Sequence, residues 1–347
     1  MVTLLISILN IVIFVALFGC LAGWGQAAVR WQRGQPLLAP ERRRRPRHGI
    51  AEVVMLIGLW LVLTVFGIGV AERFGWVEPL DRDAASTLQL DPDFAIRFTI
   101  EGLAKLAAIG LLLGWLRTIQ PHAAARLGLV PRRADLRIGL VAAAMLIPPV
   151  MIVQQVLNQL IPYMHPVKDL IEARPTPLLG TLLALNTVLI APLAEEFFFR
   201  GVLQGWFQRL AASRFRGRAA DETSAGETSV GETDPTGEQL AAGEGATEGA
   251  GRLRERQAAS DWLEADEVQR LPRWPMVLTS LLFSLVHWGQ GAAPVSLFLL
   301  AIGLSYLTRQ TGRLGPAITV HFCLNATATA AMFLAAGSPT ETPPLGP

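Results

Sequence analysis

The chain has 347 residues, 51% of them hydrophobic and 17% charged, with a net charge of +2 at pH 7. That balance excludes an ordinary soluble domain and points to a polytopic membrane protein. The arginines gather between apolar runs, so they read as topology signals rather than as a nucleic-acid patch.

Apolar runs predict eight helices crossing a core of about 30 Å. They are Val2–Trp24, Ile50–Val70, Phe98–Leu116, Ile138–Leu160, Leu178–Phe199, Met276–Gly289, Pro294–Leu307 and Pro316–Ala336. The first lacks a basic n-region and outruns a signal-peptide core. Leu17-Phe18-Gly19-Cys20 only faintly resembles a lipobox, because Phe18 stands where a small residue is usual. In the fourth run Pro148-Pro149 is expected to break the helix. The sixth and seventh are short, and read as a helical hairpin broken at Gly289-Gln290-Gly291. Cys20 and Cys323 both lie in apolar runs, which leaves no disulfide framework and no Cys-rich metal site.

Charge alternates between the loops. Arg30–Arg47, Arg117–Arg137, Arg209–Arg273 and Arg309–Arg313 follow the odd-numbered runs, whereas 72–93 is mostly acidic. The positive-inside rule then puts the basic loops in the cytoplasm and both termini outside a multi-pass cell membrane protein. Between the fifth and sixth runs, residues 218–251 are rich in Gly, Glu, Thr and Ala, with a drifting Glu-Thr repeat. They read as a disordered insert. A short polar surface helix is expected within Arg252–Arg270, and the 337–347 tail reads as disordered. The fold class expected is an all-α membrane helix bundle. Its four N-terminal helices span 1–177, and 178–336 form a second unit that carries the polar groups.

Within that second unit, Glu195-Glu196 and Arg200 close the fifth run, and Glu196 and Arg200 are spaced to share a helix face. Phe283 and His287 share a face in the sixth run, as do His321 and Asn325 in the eighth. Ionisable groups in such segments are costly unless paired, solvated or functional. A carboxylate near an imidazole can take a proton from water, and a His beside an Asn can donate to a developing oxyanion. The duller readings are a structural Glu196–Arg200 clasp and polar groups bonding across helices. Glu101 and Lys105, four apart in the third run, read as a clasp of that kind. Depth adds a condition: the sixth helix must begin beyond the membrane surface for His287 to reach the others.

The ordered set Glu195-Glu196-x-x-x-Arg200, Phe283-x-x-x-His287 and His321-x-x-x-Asn325 resembles the three motifs of the CAAX prenyl protease and bacteriocin-processing (CPBP, or ABI) family over 178–336. The resemblance implies an intramembrane endopeptidase acting on a membrane-associated or lipidated peptide within the lipid bilayer, with no nucleic-acid partner and no cofactor. It also implies that Glu195 activates water with help from His287, and that His321 and Asn325 form the oxyanion hole. Glu196 and Arg200 then support the site, with Phe283 beneath it. Two rivals stand beside this reading: a zinc-dependent protease ligated by Glu195, His287 and His321, and a non-catalytic scaffold or immunity protein. A Ser305-based serine protease is weaker, since nothing assigns that Ser a base.

Overall fold

The structure, a computed structural model, describes residues 2–79, 93–161, 177–213 and 261–336. Its helices are α1 (Val2–Gln32), α2 (Ile50–Arg73), α3 (Phe94–Ile119), α4 (Ala123–Arg126) and α5 (Arg133–Asn158). They continue with α6 (Leu178–Ser213), α7 (Ala265–Arg270), α8 (Trp274–Leu285), α9 (Ala293–Thr311) and α10 (Gly315–Ala336). A helix stands at each of the eight apolar runs. Of these, α2, α5, α6 and α10 are long and apolar enough to cross a membrane. At 12 residues α8 reaches only about 18 Å and falls short by itself. It packs against α9 across a turn in which Gly289 and Gly291 take φ of 99° and 62°, so the hairpin breaks where the sequence predicted. The expected insert (218–251) and tail (337–347) lie outside the described residues.

One expectation is corrected. Pro148 and Pro149 do not end the fourth helix, because α5 runs through both. Pro149 has no N–H for the Met145 carbonyl one turn earlier. The Trp24 indole of α1 donates to that oxygen at 2.8 Å instead. A neighbouring helix thus replaces the bond the proline removes, as membrane bundles allow.

A second departure concerns α6, which continues 14 residues past the predicted end at Phe199. It is the central rod of the bundle. Phe197, Phe199, Val202, Leu203 and Phe207 bury against Leu112 and Leu116 of α3, Leu56 of α2 and Phe283 of α8. Its polar continuation packs against α9. Gln204, fully buried, donates to the Ser305 carbonyl at 3.0 Å.

The four basic loops that charge counting assigned to one side do meet at one end of the bundle. β1 (Arg43–Arg44) pairs antiparallel with β2 (Trp262–Leu263). Asp261 binds Arg44 at 2.6 Å, Arg47 at 3.0 Å and Arg126 at 2.6 Å. Arg313 pairs with Asp135 and Glu41, and the Leu314 N–H donates to the Gly128 carbonyl. Three arginines on one acid hold the Asp261 carboxyl below its usual pKa, against the opposing effect of desolvation. The predicted polar helix is present as α7, tied down by the Arg45–Glu267 pair.

Candidate active site

Two turns of α6 depart from α-helical geometry. Asn186–Ile190 and Phe197–Leu203 are π-helical and flank the α-helical stretch Ala191–Glu196. Chain chemistry accounts for the first. The Ala191 N–H bonds the Asn186 carbonyl, five residues back. The next N–H along is missing, because residue 192 is proline. The Thr187 carbonyl is therefore left without a helical donor, and the Asn325 amide of α10 supplies one at 2.8 Å. Such π-bulges collect at functional sites. Here the bulge clamps α6 to α10 two turns before the carboxylates.

Glu195 and Glu196 then point to different surroundings. Glu196 is fully buried. Its Oε1 lies 3.1 Å from Arg200 Nη1 and 2.9 Å from His321 Nδ1. Glu195 keeps a quarter of its side chain exposed, and its Oε2 stands 3.8 Å from the other ring nitrogen of the same histidine. His321, itself buried, is thus held between the two carboxylates. If Glu196 is ionised it can only accept, so Nδ1 carries the proton and Nε2 presents a lone pair toward Glu195 in the neutral ring.

Phe283 is the hub beneath these groups and is wholly buried. The Arg200 guanidinium lies over its ring at 4.3 Å, and the Phe199 ring meets it edge-on at 5.2 Å. The rings of His287 and His321 sit 5.0 and 5.8 Å from it. His287 bonds through Nδ1 to the Phe283 carbonyl at 2.9 Å. A carbonyl cannot donate, so that nitrogen is N–H and Nε2 is the free one. No hydrogen bond or ion pair joins His287 to either carboxylate among the described residues. The imidazole in contact with both acids is His321, to which the resemblance gives an oxyanion role.

Depths agree. At 1.5 Å per residue, Glu195 lies about 9 Å inside Gly201, which packs on Leu314 at the basic end, and His321 about 9 Å inside Gly315. The Trp274 ring that opens α8 meets the Phe207 ring at 5.6 Å, tilted by 48°, beyond that layer. The start of α8 thus lies farther toward the basic end than the Gly201–Leu314 contact. The carboxylates lie near the middle of the 36-residue α6 rather than at its end. Among the described residues no three His, Cys, Asp or Glu side chains stand together as a metal site. The Glu195, His287 and His321 set does not converge that way, and Glu196 is committed to Arg200.

Comparison with known families follows the same residues. Segments 177–221 and 256–327 match the family model described as type II CAAX prenyl endopeptidase, Rce1-like. Over these two segments the chain is similar to that family. All six polar residues of the three motifs fall inside the matched segments, and the break between them falls largely on the low-complexity insert. No curated protein and no solved structure gives a significant match to the chain. The Glu196–Arg200 pairing could be read from spacing, whereas a place for Phe283 beneath the site came only from the family resemblance. The Asn325–Thr187 clamp was missed, though Pro192 in an apolar helix was a signal for a freed carbonyl.

Proposed function

We propose that this protein is an intramembrane endopeptidase that hydrolyses a peptide bond of a membrane-associated or lipidated substrate with water activated at Glu195. The observation that carries the reading is the contact of His321 with both carboxylates, inside segments similar to a prenyl-endopeptidase family. In this reading the bundle spans a cell membrane with about eight helices, the basic end lies in the cytoplasm, and both termini lie outside. The site opens to water on that basic side.

Water held between Glu195 and His321 gives a proton to that pair as its oxygen adds to the scissile carbonyl carbon. The tetrahedral intermediate carries the negative charge on the former carbonyl oxygen. The second N–H of the Asn325 amide, not used by Thr187, is the donor available to it on α10. Collapse breaks the C–N bond, and the proton held by the pair moves to the departing amine. Glu196, fixed by Arg200, keeps Nδ1 of His321 protonated, so that Nε2 stays on the reacting side. His287 assists from across Phe283 through its free Nε2. No covalent enzyme intermediate and no metal-bound step enters this sequence. CAAX-type prenylated peptides are the substrate class that the family suggests.

The test is cleavage of prenylated CAAX peptides and of unmodified membrane-proximal peptides by the purified full chain in detergent. Wild type is compared with Glu195→Ala, each with and without a chelator. Cleavage that resists chelation and disappears in Glu195→Ala supports the reading. Loss on chelation that zinc restores replaces it with the metal-dependent rival. A complete lack of cleavage leaves the scaffold class.

A further inference from the structure

At the basic end of α6, one turn past the carboxylates, lies a small half-open cavity of about 20 Å³. Arg43, Arg44, Arg126 and Arg200 line it with Gln208 and Thr308, and its lining includes no acid. Three of the four cations stand in ion pairs, Arg44 and Arg126 with Asp261 and Arg200 with Glu196, although the Arg200 nitrogens make no hydrogen bond. Arg43 does not. It is more than nine-tenths buried, yet its Nε and Nη2 have no hydrogen-bond partner. Burial, together with repulsion from the Arg309 cation, brings its pKa down to about 10. It is therefore still charged at neutral pH.

A buried charge without a partner is costly, so the fold has a reason to hold this one open. The side chain is placed firmly. Its backbone is fixed by pairing with Leu263 in β2. Its stem lies on Gly312, where φ is 65° and an added Cβ would meet Arg43 Cβ and Cδ at 2.7 Å. Nε and Nη2 form one edge of the guanidinium, two parallel N–H groups spaced to meet two oxygens of one planar or tetrahedral oxyanion. Thr308, another residue of the lining, has a buried hydroxyl that is also without a hydrogen-bond partner.

We propose that this cavity binds a single phosphate-class oxyanion, gripped by the Nε–Nη2 edge of Arg43 and the Thr308 hydroxyl. A phosphate supplies both the missing charge and the paired acceptors, whereas a chloride supplies only the charge. The group can come from inorganic phosphate or from the headgroup of an anionic lipid at the basic end, where pockets between helices take such headgroups. The proposal is independent of peptide cleavage.

The experiment measures thermal unfolding of the purified full chain. In detergent, sodium phosphate replaces chloride at constant ionic strength. In nanodiscs without free phosphate, phosphatidic acid replaces phosphatidylcholine. We expect the wild-type midpoint to rise by about 2–4 °C in at least one arm, and the arm that responds identifies the source. Arg43→Gln should unfold higher than wild type in chloride, because a buried unpaired charge is gone, and should not respond to phosphate. The two curves therefore cross. Arg43→Lys keeps the charge without the fork and should respond weakly, and it carries the comparison if Arg43→Gln does not fold. A flat wild type in both arms, or a parallel rise in wild type and variants, overturns the proposal.

Discussion

His321 stands between Glu195 and Glu196, with Nδ1 2.9 Å from one carboxylate and Nε2 3.8 Å from the other. Groups that act as one unit lose activity together and not in proportion. His321→Gln and Glu195→Gln should each lower the cleavage rate by about 10²–10⁴-fold. The double variant should be little slower than either single one. Rates for all three, measured on one cleavable peptide, decide it: losses that multiply in the double variant would show that the two residues work separately.

Arg200 and Glu196 are both buried, and Arg200 also covers Phe283, so this pair is structural as well as electrostatic. Removing one partner of a buried pair leaves the other charge stranded, at a cost of about 3–5 kcal/mol. Arg200→Met should lose stability on that scale, and adding Glu196→Gln should restore much of it. Lys105 and Glu101 provide the comparison. They pair at 2.9 Å with about a quarter of each side chain exposed, and Lys105→Met should cost less than about 1 kcal/mol. Unfolding of the four proteins in graded denaturing detergent gives these differences. Equal losses for Arg200→Met and Lys105→Met would remove the distinction.

The parts of this site that were legible in the sequence are those set by local periodicity. Glu196 and Arg200 are one turn apart on any helix, and Gly289-Gln290-Gly291 had to interrupt one. What periodicity cannot see is a partner supplied from another helix. Apolar patterning ended α6 at Phe199, yet Gln204 continues it because Ser305 of α9 accepts its amide. Pro148-Pro149 looked like a break, yet Trp24 of α1 satisfies the carbonyl that Pro149 frees. The resemblance paired Glu195 with His287, whereas the packing of α10 on α6 brings His321 into contact with it instead.

The Asn325 amide has a structural task that can be separated from any part in chemistry. Asn325→Leu orphans the Thr187 carbonyl, at a cost of about 1–3 kcal/mol. The orphan exists because Pro192 lacks an N–H, so Pro192→Ala supplies a donor from within α6. Stability of Asn325→Leu should therefore recover in the Pro192→Ala background. Its activity should not recover if the amide also serves the oxyanion. Unfolding and cleavage measured side by side separate the two tasks. Recovery of both would reduce Asn325 to a clamp.

His48 gives the basic end a pH limit. It is buried just before α2 beside Glu52 and Arg209, and an added Cβ at Gly205 would lie 2.1 Å from its Nε2. Desolvation lowers its pKa to about 4, although Glu52 acts in the opposite direction. The unfolded chain binds this proton near pH 6.5, and the folded chain does so only near pH 4. Stability is thus unaffected above pH 6.5 and lost as pH falls from there toward 4, by up to about 3 kcal/mol. Wild type should lose stability between pH 7 and 4.5 more steeply than His48→Gln, which has no proton to gain. Parallel losses in the two proteins would assign the acid sensitivity to other groups. Gly205→Ala, which pushes a methyl into the same ring, should destabilise by about 1–3 kcal/mol at pH 7. His48→Ala should relieve that strain, because the ring it removes is the one the methyl meets.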